Sequence, residues 1–432
     1  MSATHAPAVS ARPIPGRGIG LIATRDIAAG ECVLRERATV CGTSAGFRDS
    51  ACARCLAFTS PIGGALFTCA ICGLAKLCGG DTCSWSGKQH GKVACFAEGL
   101  SKGLQAVDVE RLRFLAACAD LRAANDAESF ARLSSINDLC PSITPHGDGI
   151  EERERNAADR LHPVLEQAVA LALAGQQVGP NDALDTARRT ITGTVFTTAF
   201  LLSRETKNTF GAMAPRDESG ERRVRGGALY HLASRVNHSC FPNTARFDNF
   251  DGTLNDGSQF LNVETMTLAN EKYAPDELRL YALDIIPQGT EVTMSYLPVT
   301  DSLARRRRRL RNTFGFDCAC ERCVLECGWA REDGDRVGDV SEESSSSGNV
   351  DGIQNQLDDE DDARIAGLSD NELMRRSNRI PGEYAIWLLR NVCPKDECGG
   401  TLAPPNTKAE HMTCNACGYK RSDAEFFKQL EG

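Results

Sequence analysis

The sequence predicts a protein of the α+β class, in which strand-forming segments flank a central helical region. Residues 16–34 contain two short apolar stretches around a turn, and residues 228–300 show the alternation of apolar and polar residues that is typical of strands. Between them, residues 104–202 carry apolar side chains at helical spacing. Many of the 20 cysteines are also spaced as metal ligands are, which predicts several small metal-bound elements within this fold.

Size and composition narrow the class of protein. A chain of 432 residues implies about two to four folding units. The net charge of −9 argues against a protein that coats nucleic acid and fits a basic peptide partner better. The most apolar runs, residues 168–174 and 191–202, are shorter than the ~20 residues that cross a bilayer, so we expect a soluble protein without a membrane partner. Residues 1–15 do not resemble a secretion signal, and we expect a nuclear or cytoplasmic location.

The first cysteine-rich region spans residues 52–95. Eight ligands suffice for two tetrahedral zinc ions, and so short a segment with few large apolar residues would have little to fold around without metal. A plainer alternative makes His90 a surface histidine and Cys95 a core thiol. The candidate ligands are Cys52, Cys55, Cys69, Cys72, Cys78, Cys83, His90 and Cys95.

Two further cysteine sets occur later in the chain. Cys240 ends the sequence Asn237-His238-Ser239-Cys240, and it can complete a zinc site with Cys318, Cys320 and Cys323. Such a metal would hold the Asn-His segment against the later part of the chain. The C-terminal set has glycines beside its cysteines, which is typical of a zinc ribbon. Its members are Cys393, Cys398, Cys414 and Cys417.

A strand that ends in a tyrosine lies between the two halves of the Cys240 set. Residues 291–296 read Glu-Val-Thr-Met-Ser-Tyr and alternate as a strand does. In this order, the motifs over roughly residues 12–325 resemble the SET-domain lysine methyltransferases of the SET-and-MYND (SMYD-like) branch. The resemblance implies a SET-type β fold in which the Asn-His segment and this strand cross in a pseudoknot. An inserted MYND zinc finger, a helical insertion and a post-SET zinc site would complete it. Relatives end in a helical repeat domain, whereas this chain ends in a predicted zinc ribbon.

The resemblance also sets the expected domains. The linker among them is rich in Asp, Glu and Ser, which predicts disorder. Because it separates the ribbon from the rest, we expect loss of the ribbon to spare catalysis. The expected domains are an N-terminal SET lobe 1–48, a MYND finger 49–98, a helical SET insertion 99–195, a SET catalytic core 196–300, a post-SET segment 301–330, the acidic linker 331–370 and the ribbon 371–432.

Site residues follow from the same resemblance. Tyr296 is expected to align the substrate amine, and Asn208-Thr209-Phe210 to form a strand beside the substrate channel together with Phe314. In the finger, the implied zinc pairing is interleaved, so that Cys52, Cys55, Cys78 and Cys83 bind one ion and Cys69, Cys72, His90 and Cys95 the other. The expected contacts of S-adenosylmethionine are Arg17, Gly18, Gly20, Ser234, Asn237, His238, Tyr296 and Phe316.

The function that this resemblance implies is S-adenosylmethionine-dependent N-methylation of a lysine in a histone or another protein. The enzyme would be a monomer with about four structural Zn²⁺ ions. The alternative is a non-catalytic adaptor whose MYND finger binds proline-containing peptides. Because Asn237, His238 and Tyr296 are all present, the enzyme is favoured. The arginine run 305–309 is predicted to be a solvated helix face, with a nuclear address or a phosphate-binding patch as alternatives.

Overall fold

The computed structural model describes residues 7–57, 66–78, 90–139, 150–174, 181–214, 223–248, 276–332, 381–395 and 398–431. Within these ranges helices and strands are both abundant, so the predicted mixture of α and β structure is confirmed. The described helices include none that combines the length and the apolar character needed to span a membrane. Cys83 and all but the first two residues of the predicted acidic linker lie outside the described ranges.

The strands are short, and most of them lie in the first and middle thirds of the chain. In chain order they are β1 (Val9–Ile14), β2 (Gly18–Ala23), β3 (Cys32–Arg37), β4 (Val40–Thr43), β5 (Phe67–Thr68), β6 (Lys76–Leu77), β7 (Phe210–Met213), β8 (Val224–Leu229), β9 (Asn237–His238), β10 (Thr244–Asp248), β11 (Glu277–Ala282), β12 (Glu291–Met294), β13 (Leu402–Ala403), β14 (His411–Cys414) and β15 (Lys420–Ser422).

The helices are concentrated between residues 92 and 208, as the apolar spacing predicts, with further ones toward the C-terminus. A π-helical turn, Leu310–Phe314, directly follows α7. The helices are α1 (Lys92–Leu100), α2 (Ala106–Ala124), α3 (Ala127–Asn137), α4 (Glu152–Leu173), α5 (Asn181–Thr192), α6 (Val195–Asn208), α7 (Leu303–Arg309), α8 (Glu321–Glu332), α9 (Pro381–Asn391) and α10 (Asp423–Glu431).

The chain divides into two compact units, each built from several segments. The first unit comprises Met1–Asn237, Arg246–Val292 and Pro404–His411. The second comprises His238–Ala245, Thr293–Ala403 and Met412–Gly432. The chain therefore passes from one unit to the other within two strands, after Asn237 in β9 and after Val292 in β12.

Most strands before residue 295 form small sheets. β1 pairs antiparallel with β2, which pairs antiparallel with β12, and β9 completes this sheet. β11 lies between β10 and β3, while β8 lies between β4 and β7. All six residues of β11 are buried, so this strand does not show the alternation of exposure that one solvated face would produce. These pairings position Glu291 at the start of β12 and Asn237 at the start of β9.

The helical region has its own apolar core in the first unit. Leu112 and Leu115 of α2 are fully buried with Leu161 and Leu165 of α4 and Leu202 of α6. The spacing of these leucines places each pair on one helix face, which is why the periodicity predicted the helices. Local signals set the helix starts. A capping box at the start of α6 satisfies backbone N–H groups there, and it consists of Thr194 and Thr197.

The arginine run in the second unit corrects one expectation. The run was predicted to be a solvated helix face, but Arg306 and Arg307 are only 1% and 8% exposed. Arg306 forms an ion pair with Glu326 of α8 and donates a hydrogen bond to the Asp301 carbonyl at 2.6 Å. Buried cations need such partners, and this one lies 20 residues further along the chain. Arg305 and Arg308 are exposed as predicted.

Candidate active site

The Cys240 set is brought together within the second unit. The sulfur atoms of Cys240, Cys318, Cys320 and Cys323 all lie within 4.8 Å of one another. Cys240 Sγ is 3.6 Å from Cys323 Sγ and 4.0 Å from Cys318 Sγ. Four thiolates around a zinc ion at ~2.3 Å are about 3.8 Å apart in a tetrahedron. These four side chains can therefore hold a zinc ion with little rearrangement.

Three other cysteine groups have similar dimensions. One complete set of four consists of Cys69, Cys72, His90 and Cys95, as the interleaved pairing implies. Its Cys72 sulfur lies 3.2 Å from His90 Nε2. Cys52, Cys55 and Cys78 form a second group, whose expected fourth ligand lies outside the described residues. In the C-terminal cysteine set, two sulfur pairs are each 3.6 Å apart. They are Cys393 with Cys417 and Cys398 with Cys414.

His238 connects the Cys240 set to Tyr296. The Tyr296 backbone N–H donates to His238 Nδ1 at 3.0 Å, and His238 Nε2 lies 3.1 Å from Cys240 Sγ. Because Nδ1 accepts a hydrogen bond, the neutral ring carries its proton on Nε2 and donates it to the sulfur. His238 is 2% exposed. The imidazole thus fixes the backbone of Tyr296 relative to a cysteine of the candidate metal site.

The ring of Tyr296 lies in an aromatic cluster in the same unit. Its centroid is 4.9 Å from that of Phe314, 5.2 Å from that of His238 and 6.4 Å from that of Phe316. Phe314 ends the π-helical turn, and Gly315 then adopts φ of +76°, a left-handed conformation that favours glycine. Tyr296, Phe314 and Phe316 remain partly exposed. The cluster therefore presents aromatic surface to solvent around the predicted catalytic tyrosine.

Asn237 belongs to a polar group in the first unit. Its side-chain amide donates to Glu291 Oε1 at 2.8 Å, and Arg17 binds Glu291 Oε2 at 2.8 Å. A Cβ atom on Gly20 would lie 2.8 Å from Asn237 Nδ2, so glycine is needed there for Asn237 to approach. Gly18 has φ of +72°. Glu291 was read from the sequence only as the start of a strand, and its binding of two predicted site residues was missed.

The structure corrects the expected secondary structure of one predicted channel residue. Asn208 was expected in a strand with Phe210, but it is the last residue of α6, and Phe210 begins β7. Asn208 is buried and donates to the Arg204 carbonyl at 2.7 Å, while Ser234 Oγ donates to the Asn208 carbonyl at 3.1 Å. Phe210 is also buried, with its ring edge against Tyr230. In these contacts both residues act as packing residues of the first unit.

Glu36 is a residue of this region that the sequence reading missed altogether. Its carboxylate accepts hydrogen bonds from three consecutive backbone N–H groups, those of His231, Leu232 and Ala233, at 2.8–3.0 Å. These residues precede Ser234 and the Asn237 strand. Burial raises the pKa of Glu36, and the three N–H groups oppose that effect. A lone glutamate in β3 carries no sequence signal for a contact almost 200 residues away.

The comparison with protein families decides the identity of the fold. A model of the SET domain matches residues 18–297, which is more than half of the chain. The chain belongs to the SET-domain family. The matched region includes Asn237, His238 and Tyr296, as well as the first cysteine-rich region.

Individual relatives of this SET-domain chain differ in how much of it they cover. Histone-lysine N-methyltransferase ASHR2 of Arabidopsis thaliana is 26% identical over 95% of the chain and 94% of the plant protein. Histone-lysine N-methyltransferase Smyd1 of Mus musculus is 32% identical over 25% of the chain, which is 19% of the mouse protein. Among solved structures, the SET domain of LSMT bound to lysine and AdoHcy is 11% identical and has a TM-score of 0.33. That match covers 74% of this chain and 55% of the LSMT chain.

Proposed function

We propose that this SET-domain chain is a protein-lysine N-methyltransferase that uses S-adenosylmethionine. The observation that carries the proposal is the arrangement around Tyr296, whose backbone is bound by His238 and whose ring lies against Phe314. Family membership supports it, as does similarity along nearly the whole chain to a plant protein named as a histone-lysine N-methyltransferase. The substrate would be a lysine side chain of a histone or of another protein.

The partly exposed aromatic cluster fits both reactants. Phe316 offers a flat face to adenine, while Phe314 and Tyr296 offer apolar surface to the lysine stem. From the family resemblance, we infer that Gly18, Gly20, Ser234, Asn237 and His238 also contact S-adenosylmethionine. The resemblance also implies that Arg17, which binds Glu291, contacts the methionine carboxylate of the cofactor. When bound, S-adenosylmethionine supplies a methyl group on a positively charged sulfur, which an amine can displace in line.

Tyr296 would align the amine for this displacement. Free lysine has a pKa of ~10.4, and apolar surroundings lower the pKa of an amine because they disfavour its charged form. The ammonium would lose its proton to water before transfer, and the resulting amine lone pair would attack the methyl carbon with the cofactor sulfur as the leaving group. The tyrosine hydroxyl accepts a hydrogen bond from the amine and so directs the lone pair at the methyl carbon.

The cysteine groups would be closed zinc sites with structural roles. We propose that the first cysteine-rich region is a MYND finger with two ions and that the Cys240 set is a post-SET site. The C-terminal set would be a ribbon. All three complete sets offer four ligands, either four cysteines or three cysteines and a histidine, and leave no open position for substrate, which is typical of structural zinc. The post-SET ion would then hold Cys240, and through His238 the backbone of Tyr296.

The decisive experiment compares Tyr296→Phe with Tyr281→Phe. Each change removes one hydroxyl and little volume, but Tyr281 is a buried core residue of β11. We expect Tyr296→Phe to lower kcat about a hundredfold on a lysine peptide found with a labelled-cofactor peptide array. Calorimetry should show nearly unchanged binding of S-adenosylmethionine, and Tyr281→Phe should retain wild-type kcat.

Two results would contradict the proposal. Wild-type turnover in Tyr296→Phe would remove the tyrosine from the reaction. Failure of the wild-type protein to label any protein of a whole proteome, together with binding of proline-containing peptides, would favour the adaptor function instead.

A further inference from the structure

Helix α9 packs against the segment that follows Asn237 within the second unit. The Trp387 ring lies 4.4 Å from the ring of Phe241, and the Tyr384 ring lies 5.9 Å from it, measured between centroids. Phe241 directly follows Cys240 in the chain. Trp387 and Tyr384 are 9% and 4% exposed. Apolar burial therefore ties this C-terminal helix to the turn that carries the first ligand of the Cys240 set.

A polar network ties the same helix to the same turn. The Tyr384 hydroxyl donates to Glu326 of α8, whose carboxylate also accepts a hydrogen bond from Arg322 at 2.8 Å. Arg322 then donates to the Val299 carbonyl at 2.7 Å and to the Cys240 carbonyl at 3.4 Å. Arg322 is 5% exposed, so these charge-assisted bonds are shielded from water. Through Glu326, Arg322 thereby links Tyr384 of α9 to the backbone at Cys240, shortly after His238, and at Val299, shortly after Tyr296.

The end of α9 is tied to the C-terminal cysteine region. Asn391 at the helix end donates to the Trp387 carbonyl at 2.9 Å, and Val392 forms a β-bridge with Thr401. The ribbon also approaches the chain just after Tyr296. A Cβ atom on Gly399 would lie 3.5 Å from Pro298 Cβ and 3.7 Å from Thr300 Oγ1. Within the second unit, the helix contacts the chain after His238, and Gly399 of the ribbon approaches the chain after Tyr296.

We propose that α9 and the ribbon form a positioning module for methyl transfer, with Trp387 and Tyr384 as its positioning residues. This inference rests on the proposed methyltransferase function. It reverses the sequence-based expectation that loss of the ribbon spares catalysis. The physical reason is that the turn from His238 to Phe241 is short and internally hydrogen-bonded, with Phe241 N–H donating to Ser239 Oγ at 3.0 Å. A displacement of Phe241 would therefore reach His238 and the Tyr296 backbone that it binds.

The test uses neighbouring residues of one helix. Trp387→Ala removes the contact with Phe241, and Trp387→Phe retains an aromatic ring. Ile386→Ala and Leu389→Ala are matched controls, because those side chains are 49% and 53% exposed on the same helix. We expect Trp387→Ala to lower kcat roughly tenfold or more, as loss of a residue that orients a ligand does. Trp387→Phe should restore most of kcat, and both controls should match wild type.

Hydrogen exchange measures the position of the turn independently of activity. In Trp387→Ala, the amides of residues 238–241 should exchange faster, while those of α2 and α4 in the first unit should be unchanged. Cys414→Ser examines the ribbon in the same way. It should remove one equivalent of zinc, speed exchange in residues 238–241 and lower kcat.

The outcomes separate this inference from the proposed function. Wild-type kcat with unchanged exchange in residues 238–241 would overturn the inference. Faster exchange throughout the first unit would also overturn it, because the helix would then support global stability alone. If the wild-type protein transfers no methyl group, the proposed function fails, and normal exchange in residues 238–241 of Trp387→Ala would additionally refute the coupling.

Discussion

Replacement of Glu36 by glutamine should loosen the segment that carries Ser234. The Oε1 atom of Glu36 accepts from His231 and Leu232, while Oε2 accepts from Leu232 and Ala233. Glutamine has only one side-chain oxygen, so its NH₂ group would face a backbone N–H. The change therefore loses at least one hydrogen bond to a charged acceptor, each of which contributes ~1.5–3 kcal/mol.

One effect opposes this loss. Burial raises the pKa of Glu36, which means that the ionised carboxylate is partly destabilised in the folded protein. Glutamine is neutral and avoids that desolvation cost. We expect a net decrease of about 2 kcal/mol in the free energy of unfolding at pH 7.5. Glu31→Gln is the matched control, because Glu31 forms an ion pair with Arg25 at the surface, where such pairs contribute about 0–1 kcal/mol.

Urea unfolding and hydrogen exchange measure the two parts of this prediction. In Glu36→Gln, the amides of residues 231–233 should exchange faster, and calorimetry should show weaker binding of S-adenosylmethionine because Ser234 and Asn237 follow directly. The reasoning would be refuted if Glu36→Gln were as stable as Glu31→Gln. It would also be refuted if stability fell while exchange at residues 231–233 stayed at the wild-type rate.

Three further predictions concern the zinc content of the protein, the number of methyl groups added to lysine and the pH dependence of stability. Elemental analysis of undenatured protein should find about four zinc ions, and two or fewer would contradict the proposed sites. Because the Phe314 ring is 4.9 Å from Tyr296, Phe314→Tyr adds a hydroxyl that can bind the amine or a water. The products should shift toward monomethyl lysine. Identical product distributions for wild type and Phe314→Tyr, measured by mass spectrometry of a saturated reaction, would show that residue 314 does not set the number of methyl groups. Burial raises the pKa of Glu205 to about 7, so the stability that its protonated form provides is lost as the pH rises through that value. Glu205→Gln should therefore be more stable than wild type by on the order of 2 kcal/mol at pH 8 and nearly equal at pH 4. If urea unfolding gave the same difference in the free energy of unfolding at both pH values, the proposed titration of Glu205 would be wrong.

Features set by local sequence could be predicted. The cysteine groups are an example, because two ligands of a pair such as Cys69 and Cys72 lie on one turn and their spacing is fixed by coordination geometry. The helical region is another, since its leucines repeat with the period of a helix and the structure buries them together. In both cases the information lies within a few residues of the chain.

Features that depend on distant partners could not be predicted. The arginine run itself does not distinguish Arg306 from Arg305, and the ion pair of Arg306 with the distant Glu326 could not be read from it. Asn208 was expected in a strand because Asn208-Thr209-Phe210 resembles an Asn-x-Phe strand of the family, but α6 extends to Asn208 and β7 begins only at Phe210. Such outcomes follow from tertiary contacts, which override local patterns.

The two consecutive residues Asn237 and His238 bind different parts of the structure. In an extended segment, successive side chains point to opposite faces. Asn237 accordingly binds Glu291 at the start of β12 within the first unit, while His238 binds the Tyr296 backbone just beyond the end of β12 within the second. One dipeptide thus fixes the chain on each side of the same strand. Because His238 also donates to Cys240, a metal at the cysteine set would stabilise this arrangement without touching the reactants.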